Sequence, residues 1–207
     1  MTTSRCYLVF AVAAALALVS TGCDERESKL ALPQAETTPG IDQSGIDKDL
    51  AALGRGKDPQ NSIEIAAYDE AVRRLIARGS AIEGPVIDAL RRSSDWAVRL
   101  GCIEVLQGIG TRLCVDHLME VLIDPEPIVS LRATTTLEEL TKHREIPLDG
   151  EPVGANGLDP VPKRDPKDKA MDAELRIWAG WTKLHGSAHQ KAWKDWWADH
   201  GKDTPVL

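Results

Sequence analysis

Apolar and polar residues alternate with a helical period through the middle of the chain. Apolar or small side chains recur at i, i+4, i+8 and i+11, the spacing of one face of an α-helix, and recur again 31 residues later. These positions are Val98, Cys102, Leu106 and Ile109 in one copy and Val129, Ala133, Leu137 and Leu140 in the next. A weaker copy begins at Ala67 and has Arg78 at its last position. The pattern predicts internal repeats built from amphipathic helices.

Turn residues divide this region into pairs of helices. Glycine, serine, aspartate and proline cluster near residues 79–80, 93–95, 108–110 and 124–125. We predict first helices near 63–78, 95–106 and 126–141 and second helices near 82–92 and 112–123, with Ser94 or Asp95 as a helix cap. One helix pair cannot bury its apolar face alone, so we expect the pairs to stack around a continuous core.

One copy of the repeat resembles a known class. The stretches Val98–Cys102 and Leu106–Gly110 are similar to the HEAT repeat of the short bacterial type, which reads Val-Arg-x-x-Ala-x-x-x-Leu-x-x-Leu-Gly. Asp95 and Arg99 stand where that family has its ladder of Asp and Arg, whereas the third copy has Glu126 and Ser130 there. The resemblance covers residues 62–141.

The resemblance implies an all-α fold, a short α-solenoid of HEAT-like helical hairpins. It implies protein–protein interaction without catalysis. Phycobilisome lyases belong to the same repeat class, so the resemblance leaves the handling of a cofactor as an alternative.

The first 23 residues are typical of an exported lipoprotein. Arg5 precedes an apolar run of 13 residues, Tyr7–Val19, which is too short to span a membrane and has the length of a signal peptide core. Ser20–Cys23 resembles the bacterial lipobox, with Ser20 where the motif usually has Leu. This implies a signal peptide at 1–22, lipidation of Cys23 and anchoring at the periplasmic face of an envelope membrane. An ordinary signal peptide with an unmodified cysteine is the alternative.

Two segments have the composition of irregular structure. Residues 23–61 are polar and are predicted to form a flexible tether, with at most one turn of helix at 47–53. Residues 142–166 contain five prolines and three glycines, and we expect a loop in place of the second helix of the third repeat. The carboxylates of this loop lack the spacing of a calcium-binding loop, so we predict no metal site.

Five of the six tryptophans lie between residues 178 and 197. We predict a Trp-rich C-terminal region at 167–207, with helices at 167–184 and 188–200 separated by Gly186 and Ser187. Trp193, Trp196 and Trp197 share one helix face. Two interpretations remain open: these side chains form a cap on the repeats, or they form an exposed platform for carbohydrate, peptide or membrane.

The remaining chemistry indicates binding rather than catalysis. The net charge of −7 argues against a nucleic-acid partner. Cys102 and Cys114 lie equally far from the turn near residue 108, so either a disulfide or two buried thiols is conceivable. The five histidines form no metal-binding or nucleophile motif. We therefore expect a membrane-tethered interaction module of the cell envelope, with no cofactor and an unidentified protein partner.

Overall fold

All regular secondary structure in the described part of the chain is helical, which confirms the predicted all-α class. The computed structural model describes residues 42–56, 61–147, 153–154, 156–163 and 171–206. The helices are α1 (Gln43–Leu53), α2 (Ser62–Ala77), α3 (Glu83–Arg92), α4 (Trp96–Ile109), α5 (Arg112–Val121), α6 (Pro127–Thr141) and α7 (Met171–His200), with a short 3-10 helix at Gly79–Ile82 between α2 and α3.

Side-chain caps explain where several helices begin. The Asn61 side chain accepts a hydrogen bond from the backbone N–H of Glu64, and Asp95 accepts one from Ala97, as predicted for a cap at this position. Thr111 caps α5 in the same way, and Pro127 begins α6, where its missing N–H breaks no hydrogen bond. The helices of the repeat region therefore start within one or two residues of the predicted positions.

The folded part begins earlier than the sequence pattern predicts. The tether predicted at 23–61 includes α1, whose Ile46 and Leu53 are fully buried and which packs against α2 and α4. Asp49 of α1 is also buried, and it accepts hydrogen bonds from Arg74 at 2.8 Å and from Arg78 at 3.0 Å. Two buried apolar side chains and the hydrogen bonds of Asp49 therefore attach α1 to the fold, although the residues on either side of α1 are polar. Residues 23–41 and 57–60 lie outside the described residues.

The closely packed helix pairs differ from those predicted. α3 packs against α4 across the turn at 93–95, and α5 packs against α6, whereas α4 packs mainly on α1, α2, α3 and α6 rather than on α5. Gly110 and Thr111, which join α4 to α5, are both extended, so the chain does not turn straight back there. The pairing is therefore shifted by one helix.

The C-terminal region contains one helix where two were predicted. α7 runs for 30 residues without a break at Gly186 and Ser187, and it packs against α5 and α6. A Cβ on Gly186 would lie 3.5 Å from Cγ2 of Ile123, so the glycine sits close to the end of α5. Packing of this kind offsets the cost of about 1 kcal/mol that a glycine imposes inside a helix.

The described stretches of the predicted loop pack against α7. Lys142 ends α6 in the left-handed conformation, with φ of 57°. Ile146 and Leu158 are then buried in a small cluster with Trp178 and Trp181.

None of the helices in the described ranges combines the length and the apolar character that crossing a membrane requires.

Candidate binding groove

A groove crosses the surface that α1, α3 and α5 form together. It encloses about 990 Å³, and its apolar lining includes Leu50, Ile87 and Leu113. Leu113 is 71% exposed, although it is a large apolar residue on a helix that is otherwise amphipathic. The exposed apolar side chain of Leu113 in this groove makes the surface a candidate for binding a partner.

Sequence reasoning missed the groove, although a signal was present. The buried side of α5 consists of Cys114, Val115, Leu118 and Met119. Leu113 lies outside that stripe, on the face where polar residues are expected. The available signal was therefore Leu113, an apolar residue on the face of a predicted helix that should be polar. The repeat pattern alone did not indicate that this residue had a function.

Charged side chains border the groove without strong partners inside the fold. Arg92 pairs with Asp88 at 3.4 Å and Arg91 with Glu120 at 4.0 Å, and all four side chains are more than half exposed. Exposed ion pairs of this kind contribute about 0–1 kcal/mol. They can therefore exchange partners when another molecule docks.

The structure places the three predicted platform residues largely inside the fold. Trp193 is fully buried in the main core, and its Nε1 donates a hydrogen bond of 2.9 Å to Nε2 of His189. Trp193 therefore cannot belong to an exposed platform, and that part of the prediction is wrong. Trp196 and Trp197 are half-buried and pack against the same core.

The faces of Trp196 and Trp197 are engaged by side chains of the protein itself. The imidazole of His143 stacks on Trp196 with the ring centroids 3.7 Å apart, and His200 stacks on it at 5.6 Å. The guanidinium of Arg112 lies 5.2 Å above the ring of Trp197. Binding a sugar by stacking needs a free indole face. These contacts therefore favour packing over a carbohydrate platform.

His189 is buried beside Trp178, Trp181 and Trp193. Its burial was not predicted, because the sequence indicated a helix break at Gly186. In the continuous α7, both His185 and His189 lie beside Trp181, with centroids 5.4 Å away in each case. Nε2 of His189 accepts the bond from Trp193, so the neutral ring carries its proton on Nδ1, which has no hydrogen-bond partner among the described atoms. Burial lowers the pKa of His189 to about 4, so the ring is neutral at pH 7.

The two cysteines of the repeat region are buried free thiols, so the disulfide considered for Cys102 and Cys114 is not present. That prediction assumed that α4 and α5 form a packed pair, which they do not. Burial raises the pKa of each thiol to about 12. Both are therefore protonated at neutral pH and are poor nucleophiles.

The predicted lipidation site, Cys23, lies outside the described residues. Among the residues that are described, no three or more His, Cys, Asp or Glu side chains gather in a way that could hold a metal ion.

Comparisons with protein-family models, with curated proteins and with solved structures found no match to the chain.

Proposed function

We propose that the protein is a lipid-anchored interaction module of the bacterial cell envelope that binds a partner protein in the groove of α1, α3 and α5. In this proposal the helices stack as a short α-solenoid of HEAT-like repeats, α7 caps the stack and Cys23 carries the lipid. The observation that carries the proposal is the exposure of Leu113, a large apolar residue, in the lining of this groove.

The contacts of Arg99 support the repeat architecture. Its guanidinium makes two hydrogen bonds of 2.8 Å to the carboxylate of Asp124 and a third of 3.2 Å to the backbone carbonyl of Ser93. Arg99 thereby links the turn before α4 to the turn before α6. A ladder of Arg and Asp between successive repeats is the feature that the resemblance implies, although here the partner is Asp124 rather than a residue at the position of Asp95.

The contacts of α7 support its role as a cap. Trp193 belongs to the core cluster that also contains Leu118 and Leu137, and Nε2 of Gln190 donates a hydrogen bond of 2.9 Å to the carbonyl of Met119. After α7, the carbonyl of Thr204 accepts a hydrogen bond of 2.7 Å from Arg112. α7 therefore covers apolar side chains of α5 and α6 that would otherwise face water.

The groove fits an amphipathic helix of a protein partner. Leu50, Ile87 and Leu113 provide the apolar surface on which such a helix buries its own apolar stripe. Arg91 and Arg92 at the border favour a helix with carboxylates beside that stripe. Asp47 and Asp88 also line the groove, so its charges are mixed, and carboxylates of the partner would replace Glu120 and Asp88 beside Arg91 and Arg92.

Photo-crosslinking tests the groove. A photoreactive residue replaces Leu113 in one variant and Leu184 in a control, since Leu184 is 79% exposed but lies on α7. In living cells we expect a discrete adduct from position 113 alone, and we expect the double change Arg91→Glu and Arg92→Glu to abolish it. Equal adducts at both positions, or no adduct at 113, would overturn the groove as the binding site.

Cys23→Ser should move the protein from the membrane fraction to the supernatant if the anchor is as proposed.

A further inference from the structure

A second cavity, separate from the groove, lies between α6, the segments 144–147 and 161–163, and the first half of α7. It encloses about 400 Å³, which is within the roughly 300–1,000 Å³ of small-molecule pockets. Its floor is apolar and includes Leu131, Ile146, Ile177 and Trp178. The cavity shares none of its lining with the groove of α1, α3 and α5, so it calls for a different ligand.

The floor is formed in advance of any binding. Nε1 of Trp178 donates a hydrogen bond of 2.8 Å to Oγ of Ser130, and the indole stacks on Trp181 at a centroid distance of 5.3 Å. Trp178 is only 4% exposed, and Ile146 beside it is buried. A ligand therefore meets a fixed aromatic and aliphatic surface and does not have to order it.

The edge of the cavity carries opposite charges side by side. Nε of Arg144 lies 3.4 Å from Oε1 of Glu138, and the Arg144 side chain is 47% exposed. This contact is longer than the two contacts of 2.8 Å that Arg99 makes with Asp124. Burial raises the pKa of Glu138, and the nearby Arg144 lowers it. A second cation beside Glu138 would therefore stabilise the charged form of the carboxylate.

The balance of charge restricts the kind of ligand. Lys163 and Glu174 add one more charge of each sign to the lining. A simple anion would approach two carboxylates and a simple cation would approach two basic groups, so each would meet repulsion as well as attraction. A zwitterion with adjacent charges avoids that repulsion, because each of its charges faces the side chain of opposite sign.

We propose that this cavity binds a free apolar α-amino acid. Its carboxylate would pair with Arg144, its ammonium group with Glu138, and its side chain would lie on Trp178 and Leu131. The pair between Arg144 and Glu138 would then be exchanged for two pairs with the ligand. This site is independent of the proposed protein partner, since the two sites have no lining residue in common.

Isothermal titration calorimetry on the full chain in mild detergent tests the proposal with L-phenylalanine as the probe. We expect saturable binding of L-phenylalanine, and binding at least about tenfold weaker for 3-phenylpropionate, for phenethylamine and for glycine. 3-Phenylpropionate lacks the ammonium group and phenethylamine lacks the carboxylate, and a hydrogen bond to a charged group is typically worth about that factor. Glycine lacks the apolar side chain, and burial of such a side chain is worth at least as much. The absence of saturable binding by both L-phenylalanine and L-leucine would overturn the proposal, as would equal binding of the analogues.

Two variants assign the charges. Arg144→Gln should weaken L-phenylalanine binding about tenfold without weakening phenethylamine binding, because Glu138 loses its competing partner, whereas Glu138→Gln should weaken L-phenylalanine binding without weakening that of 3-phenylpropionate. Arg73→Gln is the matched control, because Arg73 also belongs to an exposed ion pair, with Glu70, but lies on α2. Equal effects of all three variants, or none, would contradict the assignment.

Discussion

Buried polar residues join helices that are far apart in the sequence. Glu83 accepts hydrogen bonds from the backbone N–H and the hydroxyl of Thr111, at 2.8 and 2.9 Å, and so ties the start of α3 to the start of α5. Ser130 ties α6 to α7 through Trp178. A buried polar group without its partner costs about 1–3 kcal/mol, so these bonds restrict how the helices can be arranged. His189 differs because only one of its two ring nitrogens is bonded among the described atoms.

His189 makes the stability of the fold depend on pH. Its pKa is about 4 in the fold and near 6.5 when unfolded. Between these values the unfolded chain binds the proton more readily, so protonation favours unfolding. We expect the free energy of unfolding to fall as the pH falls from about 6.5 towards 4. At pH 4.5 the loss from this group is about 2–3 kcal/mol.

Urea unfolding at pH 7 and pH 4.5 measures this loss. His189→Gln should reduce the difference in the free energy of unfolding between the two pH values by most of that amount. Equal pH dependence in the wild type and in His189→Gln would show that burial of His189 is not the cause.

The helices approach one another closely where a small residue leaves room. Leu53 of α1 lies over Gly101 of α4, and a Cβ at position 101 would be 2.9 Å from Cδ2 and 3.1 Å from Cβ of Leu53. Gly180 of α7 is also helical, but a Cβ there would meet nothing within 4 Å. The two glycines therefore have different reasons to be present, although both are poor helix formers.

A comparison of these two glycines tests the docking of α1. Gly101→Ala should lower the free energy of unfolding by about 1–2 kcal/mol, because the added methyl group displaces Leu53. Gly180→Ala should raise it by about 0.5–1 kcal/mol through helix propensity alone. Chemical denaturation followed by circular dichroism measures both. A stabilising Gly101→Ala would mean that α1 does not pack on α4 as described.

The larger of two apolar clusters in the described part of the chain extends from α1 to α7. Ile46 and Leu53 of α1, the buried residues of α2 to α6 and Trp193 of α7 belong to one contiguous cluster. A smaller cluster around Trp178 and Trp181 lies beside it. Because every helix contributes to the same core, we expect the helices to unfold together rather than one repeat at a time.

Trp193→Ala tests this cooperativity. Removing the fully buried indole should lower the free energy of unfolding by about 3–5 kcal/mol, and Trp197→Ala, at a half-buried position, should cost less. The urea midpoint from circular dichroism and that from alkylation of Cys102 and Cys114 should move together. A shift in the first with no shift in the second would show that α7 unfolds independently of α4 and α5.

The helices between residues 62 and 141 could be predicted because each one carries its own evidence. Apolar spacing marked the buried face, and residues such as Asp95 and Pro127 marked the first turn. The burial of Cys102 followed from its place in the apolar stripe of α4, whereas two buried thiols were only one of the two possibilities left open for Cys102 and Cys114. Leu113 on the polar face of α5 was a signal for an exposed apolar site, but the groove around it could not be predicted, because it depends on the distances between α1, α3 and α5, and no single helix determines those distances.

The amino-acid sequence by itself determined that the chain is helical and where most helices lie, because helix formation depends on side chains within a few residues of one another. Only the tertiary structure decided which helices pair, that α1 belongs to the fold, that α7 continues through Gly186, and that its residues His189 and Trp193 are fully buried. Each of these depends on contacts between residues distant in sequence. Burial against a neighbouring helix then outweighs a local preference of about 1 kcal/mol.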